Sequence, residues 1–307
     1  MNGGKRLSIV VRRTVKFADP KHFIRRPATG EREVIVSAAR PNKIPSTSLC
    51  KLCRSPAIRA FSLRVLGAFE GQYAQCAECG SLQVEDPHWT EKAYRGAFTD
   101  DDTGAVQRAL YCQMVVSWLY ALLRLPRSMR LLDFGGGEGL LVRLLRDIGI
   151  DATFHDKFGS GAFARAFRDA SESPAIVTSF EVWEHFVDPW AGMQQIFEWQ
   201  PRYVFVSTVL YRGQGPEWWY LAPEHGQHVF FYTRQAMELI AKRFGYRCYV
   251  FKGCYVLFAR DPLAGWQRWG VNLILTHKLR SFLLAATPFY IGRNLDQPAT
   301  KTGRAPE

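Results

Sequence analysis

The chain has 307 residues, 47% of them hydrophobic, which suits one large core with a small appended unit and excludes a disordered polymer. The formal net charge is +12, but residues 1 to 45 carry eleven Lys/Arg against three Asp/Glu, and residues 261 to 307 carry six against three. The middle of the chain is therefore near neutral, and the basic charge of the tails counts against a nucleic-acid-binding core.

Residues 1–45 read as a basic, flexible segment. Arg12, Arg13 and Lys16 interrupt the run from Leu7 to Phe17, so no secretory signal core is expected. A transit peptide is the alternative, opposed by Asp19, Glu31 and Glu33. A cytoplasmic protein is expected, with no membrane span, because no stretch of roughly 18 to 20 apolar residues exists.

Four of the seven cysteines form two Cys-x-x-Cys pairs, Cys50/Cys53 and Cys76/Cys79. One tight turn aims both sulfurs of a pair at one ion, and a hairpin drawn from Ala60–Val65 and the stretch up to Tyr73 would close a tetrahedral site. A small structural Zn2+ module over residues 46–90 is expected, the alternative being four buried thiols. Cys112, Cys248 and Cys254 read as core residues.

Residues 91–262 read as the main α/β domain. A helix from Val106 to Leu125 leads to a strand, Met129 to Phe134, then a glycine turn, Gly135 to Gly139, and a helix from Leu140 to Ile148. Strand, glycine turn and helix make a nucleotide-binding start, with free amides at the helix N-terminus. The dinucleotide fingerprint would need its third glycine at Leu140, so the register does not fit it.

Asp133-Phe134-Gly135-Gly136-Gly137-Glu138-Gly139 instead resembles the D/E-x-G-x-G-x-G motif of class I S-adenosylmethionine methyltransferases. The resemblance implies a Rossmann-like, seven-stranded methyltransferase sheet. It places Asp133, Phe134, Gly135, Gly136, Gly137 and Gly139 at the cofactor. It also makes Asp156, at the end of a strand Ala152–His155, the acid that holds the ribose, although a turn aspartate is the plain alternative. Phe158 is placed to stack on adenine.

Glu181-Val182-Trp183-Glu184-His185-Phe186-Val187-Asp188-Pro189 follows a strand Ala175–Phe180 and resembles the segment of small-molecule methyltransferases that lines the cofactor cleft, with Glu181 at its start. Only about twenty residues separate Asp156 from that strand, so the third strand of the fold is expected to be vestigial.

A strand Tyr203–Ser207, a helix Arg234–Phe244 and a hairpin Arg247–Ala259 complete the sheet. The long aromatic loop Gly213 to Tyr232 lies where open α/β sheets bind ligands. His185, His225 and His228 are the candidate acid–base groups, since methyl transfer to oxygen or carbon requires loss of a proton. The ordering of cysteine module, the segment Pro87 to Tyr94, cradle and His-containing loop resembles sugar C-methyltransferases and relatives from polysaccharide and natural-product clusters over residues 48 to 260. That resemblance makes His228 the base, but Gln227 stands where the family has Glu, and the family's large C-terminal domain has no counterpart here. Residues 263–307 read as an amphipathic helix, a candidate for peripheral membrane contact, and a flexible tail.

The expected activity is methyl transfer from S-adenosylmethionine to a small-molecule acceptor, with a sugar, nucleotide sugar or glycan precursor as candidates. The alternatives are an RNA methyltransferase using the zinc module and basic tails, and a non-catalytic cofactor-binding homologue.

Overall fold

The structure, a computed structural model, describes residues 47–94, 104–169, 173–276 and 279–286. The basic segment 1–45 and the tail beyond residue 286 lie outside the described residues.

In chain order the first elements are β1 (Thr47–Leu49), β2 (Pro56–Val65), β3 (Phe69–Cys76), β4 (Leu82–Val84), α1 (Thr90–Tyr94) and α2 (Ala105–Leu122). They are followed by β5 (Leu131–Phe134), α3 (Leu140–Asp147), β6 (Ala152–His155), β7 (Ile176–Phe180), α4 (Pro189–Glu198) and β8 (Tyr203–Ser207). The last are β9 (Phe230–Phe231), α5 (Arg234–Phe244), β10 (Arg247–Phe251), β11 (Tyr255–Ala259), α6 (Gly265–Ile274) and α7 (Arg280–Ala286).

The larger sheet has the order β10-β11-β8-β7-β5-β6, with β5 to β8 parallel and β10 and β11 antiparallel at one edge. Its inner strands are continuous apolar runs. All of β5 and all of β8 are buried, as covering on both faces requires of parallel strands. Among the described residues this sheet has six strands, not the expected seven. The short stretch after Asp156 leaves a single parallel bridge, Phe154 to Arg168, where a third strand would lie.

Helix boundaries follow local chemistry. Asp188 caps α4 by accepting from the amides of Trp190 and Ala191, with Pro189 at the first helical position. Thr233 caps α5, which ends at Gly245 with φ +77°. The C-terminal helix is divided in two: α6 ends at Ile274, and α7 begins at Arg280. No helix among the described residues is long and apolar enough to cross a membrane.

The smaller sheet, β1-β2-β3-β4-β9, is antiparallel. The expected hairpin is present as β2 and β3, with a bulge between Arg59 and Phe61. Its last strand comes from the far loop, since Leu82 pairs with Phe231 and Gln83 with Phe230. Cys50, Cys76 and Cys79 share one apolar cluster with Trp183, Phe197, Tyr232 and Phe258. The cysteine-bearing sheet therefore packs into the main core.

The chain runs from β5 to β6 on one side of the sheet and returns to β7 on the other. The switch point lies at the carboxyl ends of β5 and β7, where such sheets form their ligand crevice. The glycine turn and Glu181 both emerge there.

Candidate active site

The glycine turn is shaped by packing as well as by conformation. Gly135, Gly137 and Gly139 have φ of +80°, +55° and +76°, and a Cβ on Gly135 would lie 2.4 Å from Val182. The segment starting at Glu181 presses directly on the turn. Asp133 beneath it is fully buried and accepts from Thr178 Oγ1 at 2.8 Å. Burial, helped by the charge of Asp156, pushes its carboxyl up to about 7.

Asp156 accepts the amides of Gly137 at 2.8 Å, Phe158 at 2.7 Å and Gly159 at 2.5 Å. An ionised carboxylate has about four acceptor sites, so this acid fixes the turn and keeps capacity for one more donor. These three bonds are those of the turn aspartate that was the plain alternative for this position. Phe158 is half exposed and stacks on Tyr94, with ring centres 4.2 Å apart and planes at 10°.

Glu181 has φ +55°, a strained value for a residue other than glycine, held by its amide donating to the Ser207 carbonyl at 3.0 Å. Its carboxylate accepts from Ser207 Oγ at 2.5 Å and from the Tyr220 hydroxyl at 3.3 Å. Glu184 is fully buried and meets the same hydroxyl at 2.6 Å, while its Oε2 has no partner among the described residues. Burial raises both carboxyls to about 7.

Two of the three candidate histidines are brought together. The rings of His185 and His228 lie 5.0 Å apart, and Glu184, His185 and His228 each offer a donor atom within 4.8 Å of the others. His228 Nδ1 lies 2.6 Å from the Tyr220 carbonyl oxygen, which only accepts, so Nδ1 carries the proton and Nε2 keeps a lone pair. His185 Nδ1 pairs with the Tyr94 hydroxyl at 2.8 Å. Burial depresses the pKa of both imidazoles, so both rings are neutral at neutral pH. His225 is exposed and is not a member of this cluster.

Sequence reasoning missed Tyr94 and Tyr220. Tyr94 closes the segment Pro87 to Tyr94, which carried part of the family resemblance without a role for this residue, and Tyr220 lies in the aromatic loop. Gln227, where the resemblance expected a carboxylate, donates to the Ala93 carbonyl at 2.8 Å and clamps the loop to α1. The Val229 amide donates to the Glu184 carbonyl, and its own carbonyl accepts from Val84, both at 2.8 Å. The loop histidine is thereby tied to both sheets.

At the cysteine centre, Cys50 and Cys79 sulfurs are 3.7 Å apart, Cys53 and Cys76 sulfurs 3.4 Å, and all four lie within 4.8 Å of one another. Tetrahedral Zn–S bonds of about 2.3 Å require sulfurs roughly 3.8 Å apart, so these residues fit the ion.

Residues 107–249 match the sequence model of a family described as a methyltransferase domain. That stretch, a little under half of the chain, is similar to methyltransferase domains. No curated protein matches the chain. Among solved structures, the methyltransferase domain of bacterial CtHen1 is 19% identical over 50% of this chain and 100% of its own, with a TM-score of 0.36. Human N-acetylserotonin methyltransferase with bound SAM is 14% identical over 54% and 59%, with a TM-score of 0.38. Magnesium protoporphyrin IX methyltransferase from Synechocystis PCC 6803 with bound SAM is 14% identical over 57% and 94%, with a TM-score of 0.38. At that level of superposition, none of these bears on the acceptor of the present methyltransferase.

Proposed function

We propose that this S-adenosylmethionine-dependent methyltransferase transfers methyl to oxygen or carbon of a small polar acceptor, in the class of sugars, nucleotide sugars or glycan precursors, with His228 as general base. The observation that carries the reading is the fixed tautomer of His228. Its Nδ1–H is spent on the Tyr220 carbonyl, so Nε2 carries the lone pair that would take the acceptor's proton.

S-adenosylmethionine supplies a methyl group already activated by its sulfonium. The residues that would hold it are Gly135 to Gly139, Asp156 and Glu181, with Phe134 below and Phe158 at the rim. The positive-φ turn exposes backbone to the ligand, and α3 offers its free amides. What the protein adds is alignment of the acceptor, exclusion of water by the Trp218–Val229 loop, and proton removal at His228 Nε2. His185 lies beside it on the acceptor side. His225, at an exposed turn, is assigned the outer edge of the acceptor site.

The four cysteines are assigned a structural Zn2+, since four thiolates leave no open coordination position. The acceptor reading is tested by incubating the full chain with methyl-labelled donor and a panel of nucleotide sugars, glycan precursors, phenols and RNA. Label in the sugar fractions supports it, and label in RNA alone overturns it.

A further inference from the structure

Glu184 is fully buried and Glu181 half-buried beside the histidine pair, and neither forms an ion pair with a Lys or Arg among the described residues. A buried carboxylate without a countercharge is costly, and the cost is removed by a proton or by a cation. Glu184 also keeps a fully buried oxygen, Oε2, without a hydrogen-bond partner among the described residues. Its other oxygen is held by Tyr220 at 2.6 Å.

We propose that Glu184, His185 and His228 form a second metal site, for a divalent transition-metal ion, distinct from the four-cysteine centre. One carboxylate and two imidazoles are the ligand set of open catalytic zinc and iron sites, and imidazole nitrogens select such ions over Mg2+ and Ca2+. The donor atoms already lie within 4.8 Å of one another. Ligands about 2.0 to 2.2 Å from a tetrahedral ion stand roughly 3.3 to 3.6 Å apart, so binding draws the three side chains together by up to about 1.3 Å.

The supporting partners are also in place. Nδ1 of His228 bonds the Tyr220 carbonyl at 2.6 Å, which leaves its Nε2 as the ligand atom, and Nδ1 of His185 is oriented by the Tyr94 hydroxyl at 2.8 Å. Glu181, 3.3 Å from the same Tyr220 hydroxyl, adds a second negative charge to balance a divalent ion. Three protein ligands leave coordination positions open for oxygens of the acceptor. The inference rests on placing the acceptor at this cluster; a His228 that ligates the ion does not act as base, so bound metal is expected to suppress proton removal at Nε2.

The test is titration of the full, zinc-saturated chain with Co2+, followed by calorimetry and visible absorption. The expected result is one further equivalent of Co2+ with weak bands and no thiolate charge-transfer absorption. Its affinity falls at least tenfold in Glu184→Gln and His185→Gln and is unchanged in His225→Ala. Binding of S-adenosylhomocysteine checks that each variant is folded. If either core variant fails that check, Tyr94→Phe, which removes only the hydroxyl behind His185, serves instead and weakens Co2+ about tenfold. No further equivalent in the wild type, or equal affinity in folded variants, overturns the proposal. Failure of the acceptor reading is separable, because it shows as absent methyl transfer to sugars while Co2+ still binds.

Discussion

The carbonyl oxygen of Tyr220 lies 2.6 Å from Nδ1 of His228, so a backbone group on the loop, not a carboxylate, sets the tautomer of the proposed base. Orientation thus survives the loss of the family's glutamate at Gln227. Replacing Tyr220 by Phe keeps the carbonyl and removes only the hydroxyl that binds Glu184. Tyr220→Phe is expected to retain most turnover but to lose about 1 to 3 kcal/mol of stability, read by chemical denaturation, because a buried carboxyl loses its donor.

His228→Ala removes the lone pair itself. The expected outcome is near-normal affinity for S-adenosylhomocysteine by calorimetry and a fall in methyl transfer of about a hundred- to ten-thousand-fold. Unchanged turnover would dismiss His228 as the base.

Asp133 titrates in the folded protein at about 7, above the ordinary carboxylate range, so the native state holds a proton that the unfolded state has released. Stability from this residue is therefore present at low pH and declines as pH rises from about 4 to about 7, by on the order of 4 kcal/mol when complete. Asp133→Asn cannot ionise. Thermal unfolding of the two proteins should show the variant gaining on the wild type between pH 5 and pH 8. A parallel pH dependence in both would refute the assignment.

The cysteines pack with Trp183, Tyr232 and Phe258 in one cluster, and Phe230 and Phe231 complete their sheet. Stripping the proposed zinc with a strong chelator, or replacing Cys53 by Ser, should therefore lower the Tm of the whole main domain. A single shifted transition in calorimetry is expected. Two transitions, with the methyltransferase sheet melting as before, would show the module to be independent.

The strands of the main sheet were legible because parallel strands buried on both faces are unbroken apolar runs, as Leu131–Phe134 and Tyr203–Ser207 show. Asp133 and the glycines were legible because their φ values and their contact with Val182 leave little choice of residue. The pairing of β9 with β4 was not, because a two-residue strand more than 140 positions away carries no periodic signal. The same holds for Tyr94 and Tyr220. They reach His185 and Glu184 only through tertiary folding of α1 and the loop, and their own neighbours in sequence do not distinguish them from ordinary buried aromatics.

The central claim is that the turn Gly135 to Gly139 and Asp156 cradle S-adenosylmethionine. The most direct measurement is calorimetric titration of S-adenosylhomocysteine into the wild type and Asp156→Ala, with circular dichroism confirming that both are folded. The expected result is saturable one-to-one binding by the wild type and a loss of at least a hundredfold in the variant, because Asp156 anchors the Gly137 amide and is the residue proposed to hold the ribose. Equal affinity in a folded variant, or no binding by the wild type, would contradict it.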